Sequence, residues 1–194
     1  LSVAGVGDAN GEGSLDFVVG APNLIGPAGT PVGSAIIYSG AGGSIQRLFG
    51  EASNGQFGFS VAGAGDVDGS GDGEAEVVIS APGLNLSPQL GSAGRVYVYQ
   101  SDATLLATFD GQLAFGRFGE SVAGVGDFNG DGLGDIAIGQ PSVLNATGQM
   151  VARRGRIFVR HGPFPQPALP NGQLRRVFWT QDESTLFGAS VAAI

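Results

Sequence analysis

Four oxygen-bearing side chains, Asp127, Asn129, Asp131 and Asp135, stand at relative positions 1, 3, 5 and 9 of the stretch DFNGDGLGD, with Gly130 and Gly132 between them. Oxygens on alternate residues of a tight turn converge on one point. A hard cation of the calcium type takes about six to eight oxygens at about 2.3–2.6 Å, and backbone carbonyls supplement carboxylates in filling that shell. The carbonyl at position 7, that of Leu133, is the natural supplement here. The glycines permit the left-handed dihedrals that such a turn demands. Three carboxylates this close repel one another when no cation lies between them, so the loop is expected to be ordered by metal.

The same comb occurs twice more. Asp8, Asn10, Glu12 and Asp16 repeat the spacing, with a longer acid at position 5 and Ser14 at position 7. The third copy, DVDGSGDGEAE, carries two extra residues. Counting back from the apolar run that follows puts Glu76 at its final position, so Asp66, Asp68 and Glu76 are expected ligands, while Ser70 and Asp72 compete for the middle one. Two or three calcium ions per chain are therefore expected. The pattern differs from the 12-residue EF-hand loop, which closes with a glutamate in a helix, because position 9 here opens a strand. Asp, Asn and Gly are also ordinary turn formers, but turn chemistry alone does not explain three copies in register before the same apolar run. With no cysteine and one histidine, the chain offers little to soft metals.

The loops recur because the whole chain recurs. LSVAGVGD, FSVAGAGD, ESVAGVGD and a last ASVAAI set their serines at 2, 60, 121 and 190, spacings of 58, 61 and 69 residues. That period suits a four-stranded sheet per repeat. Strand A is the short SVAG segment. Strand B follows the acidic loop as FVVGAP, VVISAP and IAIGQP, continuous apolar runs ended by proline, as in strands buried on both faces. Strand C is SAIIYSG, GRVYVYQ and GRIFVRHG, rich in β-branched and aromatic residues. Strand D, around SIQRLFG, TLLATF and RRVFWT, alternates enough to be a half-exposed edge. These are the blades of an all-β propeller read from axis to rim, with units at about 1–56, 57–117 and 118–186 and a partial fourth at 187–194. Closed propellers take about four to eight blades. Three blades and one extra strand are thus expected to be part of a larger ring, completed by further blades or by another copy of the chain.

Charge follows the loops. Eleven of the 17 acids lie in the three windows, and without them nine arginines face six acids, so the formal charge of −8 is a property of sites and not of the general surface. Arg153, Arg154, Arg156, Arg160, Arg175 and Arg176, six of the nine cations, fall in the third unit, flanking and lining strand faces or facing an acidic partner. No stacking aromatics or nucleic-acid motif accompany them, so no nucleic acid is expected as a partner. No apolar run is long enough to span a membrane. His161 stands alone at the end of a strand, expected to be packed or solvated, and no nucleophile, base and acid can be assembled around it. No enzyme is read here. Two glycosylation-type triplets, at Asn85 and Asn145, are read as chance. The proline-rich stretch at 162–170 is expected to be a stiff C–D excursion on the loop face.

Phe57-Gly58, Phe118-Gly119 and Phe187-Gly188, the acidic loops, and GAP, SAP and GQP at 20–22, 80–82 and 139–141 together resemble the FG-GAP repeat of the integrin α-subunit propeller. The resemblance covers essentially the entire chain. It implies a seven-bladed propeller with calcium in the A–B hairpins of some blades, located outside the cell and used in adhesion or protein recognition. The cysteines usual in animal integrin α subunits are missing, and glycine, alanine and arginine usage is prokaryotic in character, which implies a bacterial relative. A–B and C–D connections share one face, so the long B–C segments project from the other, where a protein or cell-surface ligand is expected to bind. An accessory domain of a larger secreted enzyme, such as a hydrolase, is the alternative.

Overall fold

Short β-branched runs broken by glycine turns fold into three four-stranded antiparallel sheets, one per repeat. The computed structural model describes residues 1–141, 143–144, 150–151, 155–164, 176–179 and 188–192, and among these no helix forms. The first sheet runs β1 (Ser2–Gly7), β2 (Asp16–Ala21), β3 (Ser34–Tyr38) and β4 (Ser44–Phe49) in spatial order. The second is β5 (Val61–Gly65), β6 (Glu76–Ala81), β7 (Arg95–Tyr99) and β8 (Leu105–Asp110). The third unit gives β9 (Ser121–Gly126) and β10 (Asp135–Gln140), a small hairpin of β11 (Val143–Leu144) and β12 (Met150–Val151) in the B–C connection, then β13 (Arg156–His161) and β14 (Arg176–Trp179). These are propeller blades. Strands A to D fall where the repeats put them.

The blades stack face to face, and the two faces of each middle sheet serve different cores. On β6, Val77 and Ile79 pack with Val18, Ile37, Phe57 and Tyr97 at the first junction. Val78, between them in sequence, packs with Val96, Phe118, Ile136, Ile138 and Phe158 at the second. β6 and β10 are buried at every residue, their polar ends included. The first strand B departs from that expectation: β2 alternates, with Phe17 40% exposed. The edge strands β4 and β8 are largely exposed, as their alternation predicts.

At the inner end, β5 contacts both β1 and β9. A Cβ on Gly63 would lie 2.5 Å from Val6 Cα, and one on Gly124 would lie 2.2 Å from the Gly63 carbonyl oxygen, so these backbones approach as only glycine allows. The first two Phe-Gly pairs each close a junction. Phe57 and Phe118 are fully buried and meet Tyr97 and Phe158, equivalent residues on β7 and β13, edge to face at 5.2 and 5.1 Å. Ser2 and Ser121 donate through their hydroxyls to the carbonyls of Gly58 and Gly188, each 3.0 Å away, so the start of the next unit is fastened to the strand A of the unit before it.

The partial fourth unit forms no strand over its described residues, Gly188–Ala192, which turn and bend. Phe187, Arg153, Arg154, Arg175, the Asn145 triplet and the proline-rich stretch beyond Phe164 lie outside the described residues.

Truncating Phe118 to alanine empties the second junction and is expected to lower the unfolding free energy by about 3–5 kcal/mol in a urea titration. Gly124→Ala, which deletes nothing and only crowds neighbouring backbone, is expected to cost about 1–3 kcal/mol in the same measurement.

Candidate metal centres

Each acidic loop leaves its strand A at a bulge. The register shifts at Gly7, Gly65 and Gly126, all with φ between 64° and 84°, which turns the chain out of the ladder one residue before the first aspartate. The loop then winds round its own acids. Asp127 accepts from the backbone N–H groups of Gly130, Asp131 and Gly132 at 2.6, 2.9 and 2.8 Å, Asn129 from that of Asp131 at 2.9 Å, and Asp131 from that of Leu133 at 3.0 Å. In the first loop Asp8 accepts from Glu12 and Gly13 N–H at 3.1 and 2.7 Å, and Asn10 from Glu12 N–H at 3.2 Å. Short polar side chains satisfying the backbone two to five residues on are what hold an otherwise irregular loop in one shape.

The ninth position does a different job. Asp16, Glu76 and Asp135 are buried at the head of strand B, and each accepts from the N–H of the loop's second residue: Ala9 at 2.9 Å, Val67 at 2.8 Å and Phe128 at 2.9 Å. Glu76 therefore stands in the position that counting back from strand B gives it, despite the two-residue insertion. The aspartates also reach the C–D turn. Asp16 accepts from Gly40 N–H at 2.9 Å, and Asp135 from Gly162 N–H at 3.2 Å and contacts His161 Nδ1 at 2.8 Å. His161 is buried and lies under the Phe128 ring, which gives the lone histidine a packing role. The C–D turn enters the other loops through different residues: Ser39 donates to Glu12, and Gln100 Nε2 donates to Asp68 at 2.9 Å. Local spacing holds no trace of these partners, which lie more than twenty residues from the acids they touch. Their one sequence signal is a polar residue at the end of each strand C.

The three loops differ in how far their acids converge. Asp66, Asp68 and Glu76 each place one carboxylate oxygen within 4.8 Å of the others. Three acids at that spacing fit a hard divalent cation, with Glu76 held by burial on the inner side and the aspartates on the outer. Asp72 lies outside this cluster, its carboxylate taken by Glu74 N–H at 2.9 Å, and Ser70 Oγ accepts weakly from Asp72 N–H at 3.4 Å. In the first and third loops the acids at positions 1 and 5 turn instead to the loop backbone and to each other's neighbours. Glu12 takes hydrogen bonds from Ser39 and Ser14, which hold its carboxyl below the usual range. Burial, reinforced by the charges of Asp68 and Asp66, pushes the Glu76 carboxyl up to about 7.

Neighbouring loops are also joined. Ala75 N–H donates to the Asp8 carbonyl at 2.9 Å and Gly134 N–H to the Asp66 carbonyl at 2.7 Å, equivalent bonds between successive blades.

Face-to-face four-stranded blades, each opening on an acidic hairpin loop, define a repeat β-propeller protein with candidate cation loops on one face. Residues 118–149 match the family model of the FG-GAP repeat. Integrin alpha-5 of Xenopus laevis is 31% identical over 194 residues, covering 95% of this chain and 17% of its own length. Integrin alpha-V of Gallus gallus is 34% identical over 143 residues, 70% of this chain and 13% of its own. The chain carries an FG-GAP repeat and resembles integrin α subunits over most of its length, and it spans 13–17% of the length of these relatives. Among solved structures, an exotype rhamnogalacturonan lyase aligns at a TM-score of 0.47 with 13% identity, over 91% of this chain and 33% of that one, a likeness too slight to bear on function.

The raised Glu76 group sets a pH dependence with a definite sign. In metal-free protein its contribution favours folding below about pH 4.5, where the carboxyl is protonated in both states, and is lost as pH rises through about 7. The unfolding midpoint of chelated protein is expected to fall between pH 5 and 8 more steeply in the parent chain than in Glu76→Gln, and added calcium is expected to remove the difference.

Proposed function

We propose that this chain is a calcium-stabilised interaction module: a propeller segment whose cations lock the A–B hairpins, leaving the opposite face free to recognise a protein or cell-surface ligand outside the cell. The observation that carries the reading is the second loop, where two aspartates and a buried glutamate bring their oxygens within 4.8 Å of one another at the mouth of a strand. Like charges are held that close against their own repulsion, and a divalent ion between them turns repulsion into binding. Asp66, Asp68 and Glu76 would hold it, and the ion would supply charge neutralisation and a rigid link from strand A to strand B. The first and third loops would follow with Asp8, Asn10, Glu12 and Asp16, and with Asp127, Asn129, Asp131 and Asp135, joined by the carbonyls of Ser14 and Leu133.

The strand directions set the A–B and C–D turns on one face and the B–C connections on the other, which supports a division between metal and recognition. The C–D turns contact the acidic loops through Ser39, Gln100 and His161. The B–C connections leave from the far ends of the same strands, and the third contains its own β11–β12 hairpin. Adhesion is the role that likeness to integrin α subunits suggests for such a surface. No helix among the described residues is long and apolar enough to cross a membrane.

Calorimetric titration of calcium into chelator-stripped protein is expected to show two or three ions per chain. At a free concentration about a hundred times Kd, each ion is expected to add about 2.7 kcal/mol of stability. Asp68→Asn is expected to remove one ion from the count. Absence of both binding and stabilisation would reduce the loops to turn chemistry and end this reading.

A further inference from the structure

The two blade junctions are built from equivalent residues, and one of them lacks its acid. Gly50 and Gly111 mark the equivalence: a Cβ on either would strike a B–C carbonyl oxygen, that of Val32 at 2.2 Å or Ala93 at 2.1 Å. Glu51 follows the first glycine and Gln112 the second. At the first junction Glu51 Oε1 accepts from Tyr97 OH at 2.7 Å and Arg95 Nη1 at 3.0 Å, which closes the groove. At the second, Arg156 stands in the place of Arg95, Phe158 in that of Tyr97 and Arg160 in that of Tyr99, each opening or continuing its strand C. The cross-strand partner of that arginine changes as well, from Ala81 to Gln140.

What remains is a cavity of about 160 Å³ lined by Asp110, Gln112, Gln140, Arg156 and Arg160 together with Phe118 and Phe158. Asp110 is already committed, paired with both Arg95 Nε and Nη2 at 2.5 and 2.8 Å, and among the described residues no other carboxylate lines the space. Gln140 is 2% exposed, and among the described residues neither its Nε2 nor the buried Nε of Arg160 has a hydrogen-bond partner. Arg160 lies over the Phe109 ring at 4.9 Å, and burial uncompensated by an acid pushes its guanidinium down to about 10. Buried donors left unpaired are costly, and an acceptor that draws either side chain toward the cavity would relieve that cost.

We propose that the groove between the second and third blades binds a carboxylate presented by a ligand, held by Arg156 and Arg160 with Gln140 as the neutral donor. Guanidinium groups match carboxylate geometry in charge and in bidentate shape. A cavity of about 150 Å³ accepts a molecule the size of benzene, whereas whole drug-sized ligands need about 300 Å³ or more. The volume therefore suits an acidic side chain or a short dicarboxylate. Gln140 and Arg156 lie at the end of the strands away from the acidic loops, whereas Arg160 pairs with Ile136 near Asp135, so the test keeps the protein calcium-loaded throughout.

The test titrates calcium-loaded protein with sodium glutarate and with N-acetyl-glutamyl-methylamide at constant ionic strength, followed by amide chemical shifts. Saturable binding is expected in the parent chain. Arg156→Gln, at an exposed position, is expected to weaken it about tenfold, the loss of one charge-assisted hydrogen bond. Gln112→Glu, also exposed, rebuilds the acid of the first junction and is expected to abolish binding while raising the unfolding midpoint. Stronger binding of the blocked glutamyl amide assigns the carboxylate to a polypeptide, and stronger binding of glutarate assigns it to a free diacid. No saturation with either probe, or equal affinity in all three proteins, overturns the proposal.

Discussion

The structure depends on one buried carboxylate per blade. A strand of β-branched residues has no means of its own to fix a glycine-rich loop above it. An acid at its first residue does, because it can accept from the loop on one side and from the next turn on the other. Asp16 and Asp135 each hold an N–H from both places. Charge-assisted bonds of this kind contribute roughly twice what neutral ones do, and the low dielectric around a buried acid makes each of them costly to break. The acid thus fixes where the loop ends, in which register strand B starts and where the C–D turn closes. In the second loop two further carboxylates gather beside that acid.

Glu76 shows the same constraint under strain. The second loop carries two inserted residues, and the acid that accepts from Val67 N–H is a glutamate, one methylene longer than its counterparts. It reaches no C–D backbone, and Gln100 takes up the contact from the other side through Asp68. The result is a more acid-dense centre with a partly neutralised glutamate. The longest and least regular loop is consequently the one in which the carboxylates gather.

Much of this was legible in the residues. Period, strand order and blade architecture follow from the recurrence of SVAG, acidic loop and apolar run, since a repeat that buries the same residues must fold the same way each time. The acids themselves were readable because cation chemistry demands oxygens at fixed spacing. Two things were not. The alternation of β2 depends on whether a neighbour lies beyond it, which no local pattern in FVVGAP reveals. The contacts from Ser39, Gln100 and His161 depend on the C–D turn folding back over the loop, a tertiary fact that short-range spacing cannot carry.

The phenylalanine that opens each repeat has a consequence for how such chains can be divided. Phe57 heads the second unit in sequence yet completes the groove of the first, against Val18, Ala35 and Ile37. A boundary drawn before Phe57 or Phe118 would sever a blade from its own keystone. The interchangeable module is therefore offset from the repeat as written: a cut placed after the Phe-Gly pair, short of the following serine, would deliver each blade with its groove filled. Duplication, shuffling or engineered exchange of blades should respect that offset frame and supply an aromatic partner for Tyr97, because a unit transplanted in the written frame leaves a vacancy against Val18 and Ile37.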